Sequence, residues 1–172
     1  MTKGPRMTSR LALAAPLALA PALPAAAEEG GEVVLTIGGE EVVFALWDDQ
    51  SDWSGNDSWA STNIYTQAQG EAWDRYKTLT LSFDGPLGAM GSPEASLSRM
   101  LSGEEMQQLY SHDEAGDLAV TIEAASVEGE LLSVSGTVSG AFGTSENWGR
   151  DIDLSEPVPF EGRFDVTLGP VE

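Results

Sequence analysis

Apolar and polar side chains alternate with a period of two along much of this chain. Val33, Leu35 and Ile37 alternate with Val34 and Thr36, and Val42, Phe44 and Leu46 alternate with Val43 and Ala45. Gly38-Gly39 separates the two runs, and glycine accepts the positive φ of a tight primed turn, so residues 33–46 predict a β-hairpin. Residues 61–69 predict a more polar strand, with Ile64, Thr66 and Ala68 on one face. In residues 76–83, Leu79, Leu81 and Phe83 oppose Thr78, Thr80 and Ser82, the pattern of a half-buried strand. Asp84-Gly85-Pro86 ends it with turn chemistry.

The later half repeats the theme. Leu118, Val120 and Ile122 alternate with Ala119, Thr121 and Glu123, and a turn follows at Glu128-Gly129. Leu132, Val134, Val138 and Phe142 then share a face with Gly136 and Gly140. Glycines inside a strand mark bulges or bends, so this long strand is expected to curve. A last strand over 161–168 turns Phe164, Val166 and Leu168 inward and Arg163, Asp165 and Thr167 outward. Pro157 and Pro159 just before it point to an edge approach or an extended linker.

Residues 92–110 support two readings. Ser92-Pro93-Glu94 has the form of a helix N-cap, Leu97, Met100 and Leu101 fall on one helical face, and Gly103 offers a stop. Ser102-x-x-Glu105 then resembles a capping box before Met106, Leu109 and Tyr110. Each piece is also short enough to be drawn into a sheet by its neighbours. Seven to eight short strands with turn signals between them define an all-β, single-domain antiparallel β-sandwich or partly closed barrel. A short helical insertion around 92–110 is the variable part of that expectation. No repeat at a solenoid or propeller period occurs.

The first 27 residues change the picture. Lys3, Arg6 and Arg10 precede an apolar run from Leu11 to Ala22, and Ala25-Ala26-Ala27 provides a small-x-small cleavage pattern. The run contains Pro16 and Pro21 and is shorter than the about 20 apolar residues a membrane span requires. These features predict a cleavable secretory signal peptide over 1–27, a single acidic domain over 28–172, and a periplasmic or secreted destination with cleavage after Ala27. Residues 28–172 then hold five basic side chains (Arg75, Lys77, Arg99, Arg150 and Arg163) against all 28 acidic ones, a net charge of −23. Such a surface repels phosphate backbones and anionic headgroups, which excludes nucleic acid as a partner and gives no basis for stable membrane insertion. It attracts cations and basic partners, and it also serves solubility.

Residues 47–59 concentrate unusual chemistry in what the pattern reads as a loop: Trp47, Asp48, Asp49, Asp52, Trp53, Asn56, Asp57 and Trp59. Asp48, Asp49, Asp52 and Asp57 are candidate oxygen ligands for Ca²⁺, which takes several hard oxygen donors from flexible loops. The spacing does not match an EF-hand. With Gly55 at the sixth position, the twelfth falls on Ser61 where a glutamate is required. Trp53, Trp59 and Tyr65 are candidate ligand-stacking residues, with Trp53 expected to be exposed between Asp52 and Ser54-Gly55. Trp47 and Trp73 are expected to cap the core, and Trp148 is a further member of the aromatic set. Glu146, Asn147, Asp151 and Asp153 form a second acidic group, expected to be solvated around Arg150.

Catalytic signatures are sparse. The absence of cysteine excludes thiol catalysis and thiolate metal sites. His112 is the sole histidine, which excludes a histidine-rich zinc centre. It is expected in an exposed turn, and no Gly-x-Ser-x-Gly elbow, phosphate loop or dinucleotide fingerprint accompanies it. These features favour an exported, non-catalytic binding or interaction module, cation-assisted through residues 47–59, whose partner is a small molecule, a glycan or a protein. The alternative is a structural, envelope-associated domain whose acidity only solubilises it, and a carboxylate-based hydrolase is the distant third.

Overall fold

The computed structural model describes residues 29–102 and 104–171. The signal peptide expected over 1–27 and the helix stop expected at Gly103 lie outside them. Ten strands follow in order: β1 Gly30–Ile37, β2 Glu40–Leu46, β3 Asp52–Gly55, β4 Trp59–Ala68, β5 Tyr76–Pro86, β6 Gly91–Ser102, β7 Glu105–His112, β8 Ala119–Glu128, β9 Leu131–Thr144 and β10 Asp153–Leu168. Two short 3-10 turns, Asp48–Gln50 and Gly70–Asp74, are the only helical pieces among the described residues. No helix among them is long and apolar enough to cross a membrane.

All the strand pairs are antiparallel, in the order β10-β1-β2-β4-β5-β6-β7-β9-β8, with β3 beside β4 and β9 also pairing β10. The path therefore curls back on itself. The return is short, because β7 meets β9 only through Leu109–Thr144 and Tyr110–Gly143, while β8 takes the rest of that edge. The result is an all-β, partly ring-like antiparallel sheet of the sandwich kind, with ten strands where the alternation predicts seven or eight.

The hairpin predicted over 33–46 is β1–β2. Ile37 lies opposite Glu40, and Gly38 and Gly39 take φ of 60° and 88°, both in the left-handed region a primed turn requires. Inward positions fill one core: Val33, Leu35 and Ile37 of β1, Phe44 of β2, Ile64 of β4, and Leu79 and Leu81 of β5 are all buried. Phe142 and Phe160 stack with centroids 4.1 Å apart. Phe83 of β5 meets Phe164 of β10, strands that are not neighbours in the sheet, at 5.5 Å across the interior. Each such ring, fully buried, contributes about 1.5–3 kcal/mol.

Residues 92–102 and 105–110 are strand, which corrects the helical alternative there. Ala95, Leu97 and Leu109 are buried at strand spacing, and β6 is paired on both sides, to β5 and to β7. Those two ladders satisfy more backbone groups than an isolated short helix does. Pro93 is accommodated because the β5–β6 register shifts between Ser82/Asp84, and a proline without an N–H fits such a bulge. Pro157 and Pro159 fall where β10 has run past its last β1 partner, Phe160, an edge position as their chemistry implies.

Candidate functional site

Strands β4 to β7 lie side by side and turn alternate residues outward. Cross-strand register aligns these into rows, Asn63–Ser82–Glu94–His112 and Tyr65–Thr80–Ser96–Tyr110. A third row, Gln67–Thr78–Ser98–Gln108, is tied together: the Thr78 hydroxyl donates to Ser98 Oγ (3.0 Å), which donates to Gln108 Oε1 (2.5 Å). Glu94 is the one carboxylate in the three rows.

His112 closes β7 and is half-buried, where an exposed turn residue was expected. Its Nδ1 accepts the backbone N–H groups of Glu114 (3.2 Å) and Ala115 (3.1 Å). That assigns the proton of the neutral ring to Nε2, leaving one donor free. Ser111, one position earlier, points the opposite way into the core, with its hydroxyl buried and unpartnered. Adjacent strand residues face opposite sides of a sheet, so Ser111 and His112 do not form a nucleophile–base pair.

A groove of about 590 Å³ runs over Thr80, Ser82, Ser96 and Tyr110, with Trp148, Gly149 and Arg150 along its side. The segment carrying those three residues is organised by hydrogen bonds. Gly149 N–H donates to Ser145 Oγ (2.9 Å), Asp151 N–H to Asn147 Oδ1 (2.9 Å), and Asn147 Nδ2 to Asp151 Oδ2 (2.6 Å). These bonds hold Trp148 at φ 62° with 87% of its surface exposed. A left-handed backbone on a bulky residue costs on the order of 1–3 kcal/mol, which the surrounding bonds sustain. Gly149 is required beside it, because a Cβ there meets the Tyr110 ring at 2.9 Å and its φ is 86°. Asp151 of the second acidic group thus helps to shape the wall, and Asp153 opens β10.

Tyr65 lies on the outer face, and Trp59 and Asp52 border it, Asp52 opposite Asn63. Trp53 corrects its expectation. It is 6% exposed, its Nε1–H donates to the Glu130 carbonyl (2.9 Å), and its backbone exchanges bonds with Gly169 and Val171 (both 3.0 Å). The C-terminal segment so covers β3, and the indole is not free to stack on a ligand. Trp47 and Trp73, expected as core caps, are instead exposed, and Lys77 Nζ sits 4.4 Å from the Trp73 ring centroid.

The expected cation ligands do not converge. Asp48 and Asp49 are exposed on one 3-10 turn, Asp57 is exposed in the turn organised by Asn56, and Asp52 is in β3. Among the described residues, no three His, Asp or Glu side chains form a group fit to hold a metal ion. Among the described residues, two charged groups depart from their ordinary values. Hydrogen bonds from the Ser155 backbone and hydroxyl hold the Asp153 carboxyl down, and the fork-to-carboxylate pairing with Glu40 raises the Arg75 guanidinium. Neither lies in the three rows. Another hollow, about 490 Å³ over Gly30, Gly31 and Asp165, carries no aromatic side chain.

Sequence reasoning did not single out Glu94, Ser96 or Tyr110. The alternations Glu94-Ser96-Ser98 and Gln108-Tyr110-His112 carry the signal, but only once 92–112 is read as strand. No family model matches the chain, and no curated protein or solved structure shows significant similarity to it.

Proposed function

We propose that this protein is an exported, non-catalytic binding module that takes its ligand on the outer face of β4–β7, against the wall that carries Trp148. The observation that supports it is a contrast in composition. The chain holds 28 acidic residues, yet three rows of this face hold one carboxylate and two tyrosines among hydroxyl and amide groups. Tyrosine with serine, threonine and asparagine binds through rigid aromatic area and adaptable hydrogen bonds. A surface shaped for solubility alone has no need of an exposed indole on a strained backbone. The opposed directions of Ser111 and His112 favour binding over acyl-transfer chemistry.

Thermal-shift screening of soluble glycans, nucleotides and amphipathic small molecules tests the reading, because a ligand of the native state raises the melting temperature. Ligands that stabilise the wild type should lose that effect in Trp148→Ala and Tyr110→Ala. Hits unaffected by both substitutions place the working surface elsewhere and reject the proposal.

A further inference from the structure

Resting on that binding-module reading, we infer that the ligand is a neutral oligosaccharide lying across the strands from Trp148 to Tyr65. Three strand intervals separate Tyr65 from Tyr110 in the row that Thr80 and Ser96 complete. At the usual spacing between neighbouring strands, the tyrosines stand about 14 Å apart, further than one pyranose ring reaches. Trp148 lines the same groove as Tyr110, and its neighbour Gly149 packs against the Tyr110 ring. Aromatic faces at both ends suit the C–H faces of successive sugars, and the hydroxyls between them suit sugar hydroxyls. In the adjoining row, Glu94 offers an acceptor directly opposite His112, whose Nε2–H is a donor, a pairing that fits neighbouring hydroxyl groups.

Charge narrows the class further. An acidic polysaccharide must approach a domain of net charge −23, and Glu94, Asp113 and Glu114 line the groove against Arg150 alone, so a cationic chain is the competitor that the charged arms must separate. An extended peptide binds by adding a strand to a free sheet edge, but β5 and β6 are paired on both sides. A pyranose chain needs no backbone pairing.

Calorimetry on the purified protein decides the matter. The probes are neutral gluco-, manno-, galacto- and xylo-oligosaccharides from monosaccharide to hexasaccharide, with oligogalacturonides and chitosan oligomers as the charged arms. Affinity for a neutral chain should climb with length to a plateau and change little with salt. Trp148→Ala should weaken it about tenfold at every length, the scale of one lost aromatic contact. Tyr65→Ala should weaken only the longer chains. Affinity independent of length, or indifferent to Tyr65→Ala, overturns the cross-strand oligosaccharide but leaves the binding module standing. Tighter, salt-sensitive binding of either charged arm overturns the neutral class. If no neutral chain binds, the inference fails, and the module falls with it unless the thermal-shift screen holds a Trp148-dependent hit.

Discussion

The outer face of β4–β7 and the outer face of β8, β9, β10 and β1 arise from the same alternation, yet they present different chemistry to water. The second face sets Glu32, Glu161, Arg163 and Asp165 beside serines and threonines, with the Ser133 and Thr167 hydroxyls 3.0 Å apart, and turns no aromatic ring outward. The first turns out two tyrosines and carries Glu94 as the sole carboxylate in its three central rows. Inside, both faces share one core, joined where Phe83 meets Phe164. Burial explains what they share. It does not explain why three rows of one face hold so little charge in so acidic a chain, and the proposed binding role rests on that difference.

The strongest way to break the comparison is to remove the core beneath both faces. Phe164→Ala should cost about 3–5 kcal/mol in urea unfolding, from lost burial and the cavity left behind. Ligand affinity of the fraction still folded should hold. The next test separates the faces. Trp148→Ala should lose about tenfold in ligand affinity while stability stays within about 0.5 kcal/mol, because the indole is almost wholly in water. Asp165→Ala on the other face should leave binding unchanged. An equal loss from both substitutions erases the distinction.

Smaller effects sharpen it. Ser111→Ala removes a buried hydroxyl without a partner and should raise stability by about 1 kcal/mol, measured by urea unfolding, with binding intact. Sodium chloride should raise the melting temperature by screening the acidic surface, and calcium at matched ionic strength should do no more. An added calcium shift abolished by Asp49→Ala with Asp52→Ala transfers the working surface to residues 47–59. The least effect is expected at Asp153. Its depressed carboxyl value means its contribution is present above the ordinary carboxylate range and fades as pH falls through the folded value. The stability difference between wild type and Asp153→Asn should therefore be largest near neutrality and vanish in acid.

Local alternation was enough to read the β1–β2 hairpin, the inward set Leu79, Leu81 and Phe83, and the inward set Phe164, Val166 and Leu168, because burial on one face imposes a period of two. The outward direction of Tyr65 was legible, since Ile64, Thr66 and Ala68 mark the inward face of its strand. Trp53 was misjudged. Its β3 strand is four residues long, too short for a period, and what buries it is a tail more than a hundred residues further along, Gly169 to Val171. Residues 92–110 stayed open between helix and strand for a related reason: proline and short apolar spacings satisfy both until β5 supplies a ladder. The amino-acid order alone thus determined the strand faces, the acidity and the inventory of aromatic rings. Tertiary pairing decided which rings reach water and which neutral side chains fall into one row, because register joins residues from four separate strands and no local pattern encodes that alignment.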